Sequence, residues 1–195
     1  RFRRPHLRRR RQAGIDAMTS LGERVFYWVG FPAGHGAVDA GAAALWIIAP
    51  AIAAAMGLSS TQVGLIFTVI SIAAGVTLIP ASLVGETRLR GVFLLSTFWW
   101  VAGGYVAASM AQSYWVLLVF IGVAASGAGA WHPVAMGTLA ERMPGRRALA
   151  LGVHYAGGSV MEVLAPIAAG LLLAFMDWRS VMQLAVAPAL ILGIL

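Results

Sequence analysis

Between Arg90 and Glu141 the chain reads GVFLLSTFWWVAGGYVAASMAQSYWVLLVFIGVAASGAGAWHPVAMGTLA (residues 91–140), with no Asp, Glu, Lys or Arg. A helix needs about 20 predominantly apolar residues to cross a bilayer. This stretch is therefore long enough for two crossings. Its polar interruption, Ala111-Gln112-Ser113-Tyr114-Trp115, divides them. Tyr and Trp at that point suit the membrane–water interface, where amphipathic rings settle.

The same logic extends in both directions. From Arg24 to Glu86 the one charged residue is Asp39, and Gly57-Leu58-Ser59-Ser60-Thr61-Gln62 splits that interval into two further spans. Ser59 and Gln62 have the spacing of a capping box, so a helix should start near Ser60. Arg147 to Asp177 contains only Glu162, and nothing charged follows Arg179. The predicted spans are residues 33–56, 60–83, 91–110, 114–139, 147–175 and 179–195, the sixth being cut short. Ahead of them, Ser20-Leu21-Gly22-Glu23 has capping-box spacing and opens a lead-in helix over 20–32, which Pro32 is expected to end. The fold class is all-α integral membrane.

Composition agrees. Charged residues make up 11% of the 195 and hydrophobic ones 60%, whereas soluble domains carry about 25% charged residues. The net charge of +7 matches the seven arginines between Arg1 and Arg11, in a basic tail over residues 1–19; from Gln12 onward seven Arg balance seven Asp plus Glu. A like-charged block of this kind is expected to be a disordered arm that lies on anionic headgroups. Nucleic acid is not an expected partner, because a membrane-embedded body follows. There is no Cys, so neither a disulfide nor a thiolate metal site is available. No cofactor is expected. The chain starts with Arg and stops inside an apolar run, and is read as a piece of a longer protein.

Loop arginines set the expected orientation. The tail, the second loop (Arg88, Arg90) and the fourth loop (Arg142, Arg146, Arg147) are basic; the first and third loops have no Arg, and the fifth has only Arg179. The positive-inside rule puts the N-terminus and the even loops in the cytoplasm of a multi-pass inner-membrane protein.

Five ionisable residues fall inside the predicted spans: His35, Asp39, His132, His154 and Glu162. Such residues are expensive in hydrocarbon and face a partner or a watery cavity. Counting from the helix ends places His35, Asp39, His132 and His154 at similar depth in the cytoplasmic half, on three helices, with Glu162 near the middle of the fifth. His35 and Asp39 are four apart and share a helix face. Histidine titrates near neutral pH, so this pair is expected to take up and release protons. Each histidine also has a plain structural reading: His35 at headgroup level, His132 bonding a carbonyl freed by Pro133, His154 packed between helices. A three-histidine metal site is not expected, since the spacings are long and no metal motif is present. Small residues such as Gly103-Gly104, Gly127-Ala128-Gly129 and Gly157-Gly158 let helix backbones approach closely; Pro133, Gly157, Gly158 and Pro166 are candidate helix bends.

These residues resemble the major facilitator superfamily, and within it the fosmidomycin-resistance-like efflux branch, from about Phe31 onward. Gly34-His35 with Asp39 is similar to that branch's His-x-x-Asn-Asp pattern, with Val38 in place of Asn. Leu58-Ser59-x-x-Gln62-x-Gly64-Leu65 resembles its entry into the second helix. Trp131-His132-Pro133 resembles its aromatic-His-Pro, with Val134 where an acidic residue is usual. Gly145-Arg146-Arg147, then Gly157-Gly158 and Pro166, is similar to the entry into the fifth helix, and Asp177-Trp178-Arg179 to the Gly-Trp-Arg before the sixth. The loop motif between the second and third helices keeps little beyond Glu86, Arg88 and Arg90; the antiporter motif survives as Ala165-Pro166-x-x-Ala169-Gly170.

The resemblance implies the N-terminal six-helix half of a twelve-helix transporter, with substrate held near the midplane between this half and a missing C-terminal half. It places Asp39 and His132 toward the cavity, with Trp46 and Trp131 among its aromatic walls, and gives Glu86, Arg88, Arg90, Arg146 and Arg147 loop and gating roles. The expected function is proton-coupled antiport of a small drug-like or metabolite molecule. Uptake of an anionic metabolite is the main alternative. An intramembrane enzyme using His35 and Asp39, or a standalone six-helix protein, is less favoured.

Overall fold

Ser59 starts a helix as its spacing requires. Its hydroxyl accepts the Gln62 N–H at 3.3 Å, and the Gln62 side-chain oxygen accepts the Ser59 N–H at 2.9 Å. Just before it, Gly57 adopts a φ of 65° and closes the preceding helix by donating to the Ala53 carbonyl. Only a residue without Cβ takes that left-handed conformation freely. This computed structural model describes residues 21–194. The basic tail of residues 1–19 and the Ser20 cap lie outside them.

The described chain is all-helical. A short lead-in α1 (Leu21–Val25) passes through a single π turn (Phe26–Gly30) into α2 (Phe31–Met56). There follow α3 (Ser60–Gly85), α4 (Arg90–Ser109), α5 (Tyr114–Arg142), α6 (Arg147–Leu172), α7 (Trp178–Ala185) and α8 (Ala187–Ile194). Among the described residues, five helical segments are long and apolar enough to cross a membrane, the first running from Leu21 to Met56.

Two details differ from the sequence expectation. Pro32 does not end the lead-in helix. The Phe31 N–H donates to the Phe26 carbonyl, an i→i−5 bond. The widened turn absorbs the site where proline has no N–H to give. The sixth span, expected as one helix over 179–195, is broken at Val186 into α7 and α8. Pro188 can donate nothing to the Leu184 carbonyl, and the Val186 N–H turns to Gln183 and Leu184 instead.

The loops alternate between two ends. At one, Arg90 at the start of α4 pairs with Glu141 at the end of α5, tying the second loop to the fourth. At the other, the Tyr114 hydroxyl donates to the Gln62 carbonyl at 2.9 Å. There too the Arg179 guanidinium donates to the Ser109 carbonyl and, at 2.8 Å, to that of Ala111. These are carbonyls that the end of α4 leaves without helical partners.

The core lies along α2, whose Val38, Ala44, Leu45, Ile48 and Ile52 are fully buried. α2 packs on α6, and α5 on both α3 and α4. Glycine sets these approaches. A Cβ on Gly36 would meet the Gly157 carbonyl oxygen at 2.9 Å, and one on Gly104 would meet the Ala124 backbone nitrogen at 2.6 Å. With lipid outside and no hydrophobic drive between helices, such close packing is the main cohesive force. α3 and α6 leave most of their most apolar stretches uncovered, 6% and 17% buried.

Candidate functional site

The α2–α6 contact positions the site. Gly157 lets α6 lie against the backbone of Pro32, and Gly158 leaves room for the His35 ring, which a Cβ there would meet at 2.6 to 2.8 Å. The imidazole of His35 is thereby pressed against α6, where its Nδ1 lies 2.9 Å from the main-chain carbonyl oxygen of His154. A carbonyl oxygen can only accept, so Nδ1 carries the proton.

One helical turn on, Asp39 reaches back to the same ring. Its Oδ2 lies 3.1 Å from His35 Nε2, and its Oδ1 lies 3.2 Å from His132 Nε2 on α5. With Nδ1 of His35 already protonated, a proton must also occupy the Nε2–Oδ2 gap, on the nitrogen or on the oxygen, for the contact to be attractive. A second proton satisfies the His132 contact. The carboxylate is thus bracketed by two imidazoles from two helices, with its side chain 23% exposed.

The His154 side chain completes the group, although only the residue's main-chain carbonyl joins the hydrogen bonds. Its ring stacks on His35 at 4.4 Å between centroids and on Trp131 at 5.4 Å. Both its ring nitrogens are buried and close no hydrogen bond of normal geometry, although the Phe31 backbone is within electrostatic reach. Sequence spacing points to no metal site, yet the fold gathers three donors. One ligand atom each from His35, Asp39 and His132 lies within 4.8 Å of the other two.

Glu162 stands apart from this cluster and is exposed. It shares with Asp39, Ala42, Ala43 and Trp46 the wall of a cavity of about 350 Å³. Two carboxylates and one large aromatic ring therefore face the same space. Trp46 is itself 64% exposed and stacks on Phe67 of α3 at 4.0 Å. Trp131, the other aromatic candidate, is buried and lies behind the histidines, not in this cavity.

The loop candidates fall at one end of the bundle. Arg90 pairs with Glu141; Glu86, Arg88, Arg146 and Arg147 are exposed. Pro133 and Pro166 sit inside α5 and α6, which remain continuous. Gly157 and Gly158 act here as points of close approach.

Sequence reasoning did not single out Tyr105. The missing Cβ of Gly41 admits its ring, whose nearest atoms would lie 2.5 to 3.0 Å from such a Cβ. Its buried hydroxyl closes no hydrogen bond among the described residues. No spacing rule points from α4 to α2, so no sequence signal marks the pair. A family model described as Major Facilitator Superfamily matches residues 33–195.

Proposed function

The chain belongs to the Major Facilitator Superfamily, a family of secondary transporters and not of enzymes, and from that membership we propose that it serves proton-coupled antiport, exporting a small drug-like or metabolite molecule. Its all-helical architecture is consistent with the N-terminal half of that fold. In this reading the N-terminus is cytoplasmic, the membrane is the inner membrane, and a C-terminal half closes the cavity from the other side. Within the superfamily the branch proposed is the fosmidomycin-resistance-like one, which its motifs resemble.

The observation that carries the reading is Asp39. It is bracketed by His35 and His132 and opens, together with Glu162, onto one cavity. Carboxylates at membrane depth mark ion and proton pathways. Asp39 has two imidazoles that can pass protons to and from it, and Glu162 offers a second acceptor in the same cavity. A substrate entering between them competes with protons for the same groups, and that competition is what exchange requires. Trp46 gives an amphipathic substrate a flat apolar surface.

The test uses inverted vesicles carrying the complete reading frame, with an acidic interior and a pH-sensitive dye. Amphipathic compounds are added in turn. Collapse of the gradient by a compound in wild type, and not in Asp39→Asn, is the expected result. Transport unaffected by both Asp39→Asn and Glu162→Gln sinks the assignment.

A further inference from the structure

On the far side of Trp131 from the histidines lies a second cavity, of about 490 Å³, which the proton site does not use. Its wall includes Phe26, Phe31, Phe98, Trp131, Arg88 and Arg142. These side chains are sorted by kind along the bundle. Arg88 lies in the loop before α4 and Arg142 ends α5. Phe98 lies about 12 Å deeper than Arg90 along α4, and Trp131 about 16 Å deeper than Arg142 along α5, at 1.5 Å per helical residue. The cavity thus has a cationic end at the loops and an aromatic body at membrane depth.

Its positive charge is only partly compensated, since Glu141 pairs with Arg90 and also lies within electrostatic reach of Arg142. Arg90 is taken by Glu141, while Arg88 and Arg142 close no ion pair among the described residues. Neither Glu86 nor Glu141 lines the cavity. The wall also reaches the outer surface of the bundle, where Phe26 is 57% and Leu95 50% exposed. The occupant that matches is an anion with an apolar body arriving from the bilayer. The chain's own basic tail has the same sign as this rim and is the wrong partner for it.

We infer that this cavity holds one anionic phospholipid from the leaflet at the arginine-bearing end. Its phosphate lies between Arg88 and Arg142, and one acyl chain runs along Phe26 and Leu95, over the buried floor that Phe31, Phe98 and Trp131 make. Basic pockets between membrane helices take anionic headgroups in this way. The inference does not depend on proton coupling.

The full-length protein, delipidated in detergent, is offered phosphatidylglycerol or phosphatidylcholine at equal concentration. Native mass spectrometry counts retained lipid, and thermal unfolding is followed in parallel. Phosphatidylglycerol is expected to be retained in preference and to raise the unfolding temperature. The charge-removing pair R88Q and R142Q should weaken its binding about thirty-fold, and R88Q alone about five-fold. The pair R88K and R142K should keep most of it. Equal retention of the two lipids overturns the assignment, as does phosphatidylglycerol binding unchanged in a folded R88Q variant. Protection by glycerol phosphate as strong as that by the lipid makes this a site for soluble phosphates and overturns the lipid reading.

Discussion

His35 gives its Nδ1–H to the main chain of His154, 2.9 Å away, and so has only Nε2 left for Asp39. The ring cannot change tautomer without giving up a buried bond. Any proton exchanged at this ring is therefore exchanged on the Asp39 side. Removing the carboxylate alone is the sharpest test. Asp39→Asn keeps the shape and loses the charge-assisted contacts to His35 and His132. Loss of one such contact, about 1.5–3 kcal/mol, corresponds to a fall in proton-coupled transport of about ten- to hundred-fold. The dye assay in vesicles measures it.

Asp39 and Glu162 face one cavity, so their substitutions should not act independently. The double variant Asp39→Asn, Glu162→Gln is expected to transport no worse than the poorer single variant within about three-fold, since groups acting on one step are non-additive. Initial rates for the two singles and the double decide it. Losses that multiply would mean separate roles.

Gly158→Ala should reach the site without touching its chemistry. The new Cβ meets the His35 ring at 2.6 to 2.8 Å, and overpacking of this kind costs about 1–3 kcal/mol. A lower unfolding temperature and slowed transport are expected together. Gly103→Ala, whose Cβ would meet nothing within 4 Å, should leave both unchanged.

At the opposite end, Arg179→Ala leaves the Ser109 and Ala111 carbonyls without their cationic donor. Hydrogen bonds from a charged group contribute about 1.5–3 kcal/mol, so a measurable drop in thermal stability in detergent is expected, with Arg179→Lys intermediate.

Acid should loosen the start of α7. The Asp177 carboxyl is held below its ordinary 3.8, first by the Ser180 backbone N–H, then by the Ser180 hydroxyl and the Arg179 N–H. A lowered folded-state value means stability that is present above the ordinary value and lost as pH falls toward and through the folded one. Unfolding followed at stepped pH should show that increment disappear below about pH 4, and Asp177→Asn should abolish the step.

How much of this was legible in the chain varies with the physics involved. The spans were, because the cost of a charge in hydrocarbon is written directly as uncharged intervals, such as that from Arg90 to Glu141. The start at Ser59 was, because its cap is local. The break at Val186 was not. Pro50, Pro80, Pro133 and Pro166 all sit in helices that continue, so a proline alone does not announce a break. Within the site, His35 follows from Asp39 by one helical turn. The approach of His132 could be argued only from depth. Tyr105 and the placement of Trp131 behind the histidines depend on which helices lie side by side and on how they are rotated, which spacing along one chain does not encode.

The π turn at Phe26–Gly30 also fixes an angular relationship. One residue more than an α-helical turn is housed there, and the wider winding takes that residue up locally. Each residue advances an ordinary α-helix by about 100°, so the same extra residue in unbroken α geometry would turn the lead-in helix by that angle relative to α2, and the π turn spares it most of that rotation. Phe26 and Tyr27 meet Phe31 at 5.4 and 5.6 Å between ring centroids in the resulting arrangement. A change in residue count that a regular helix would pass on as a change of facing is absorbed here within five residues.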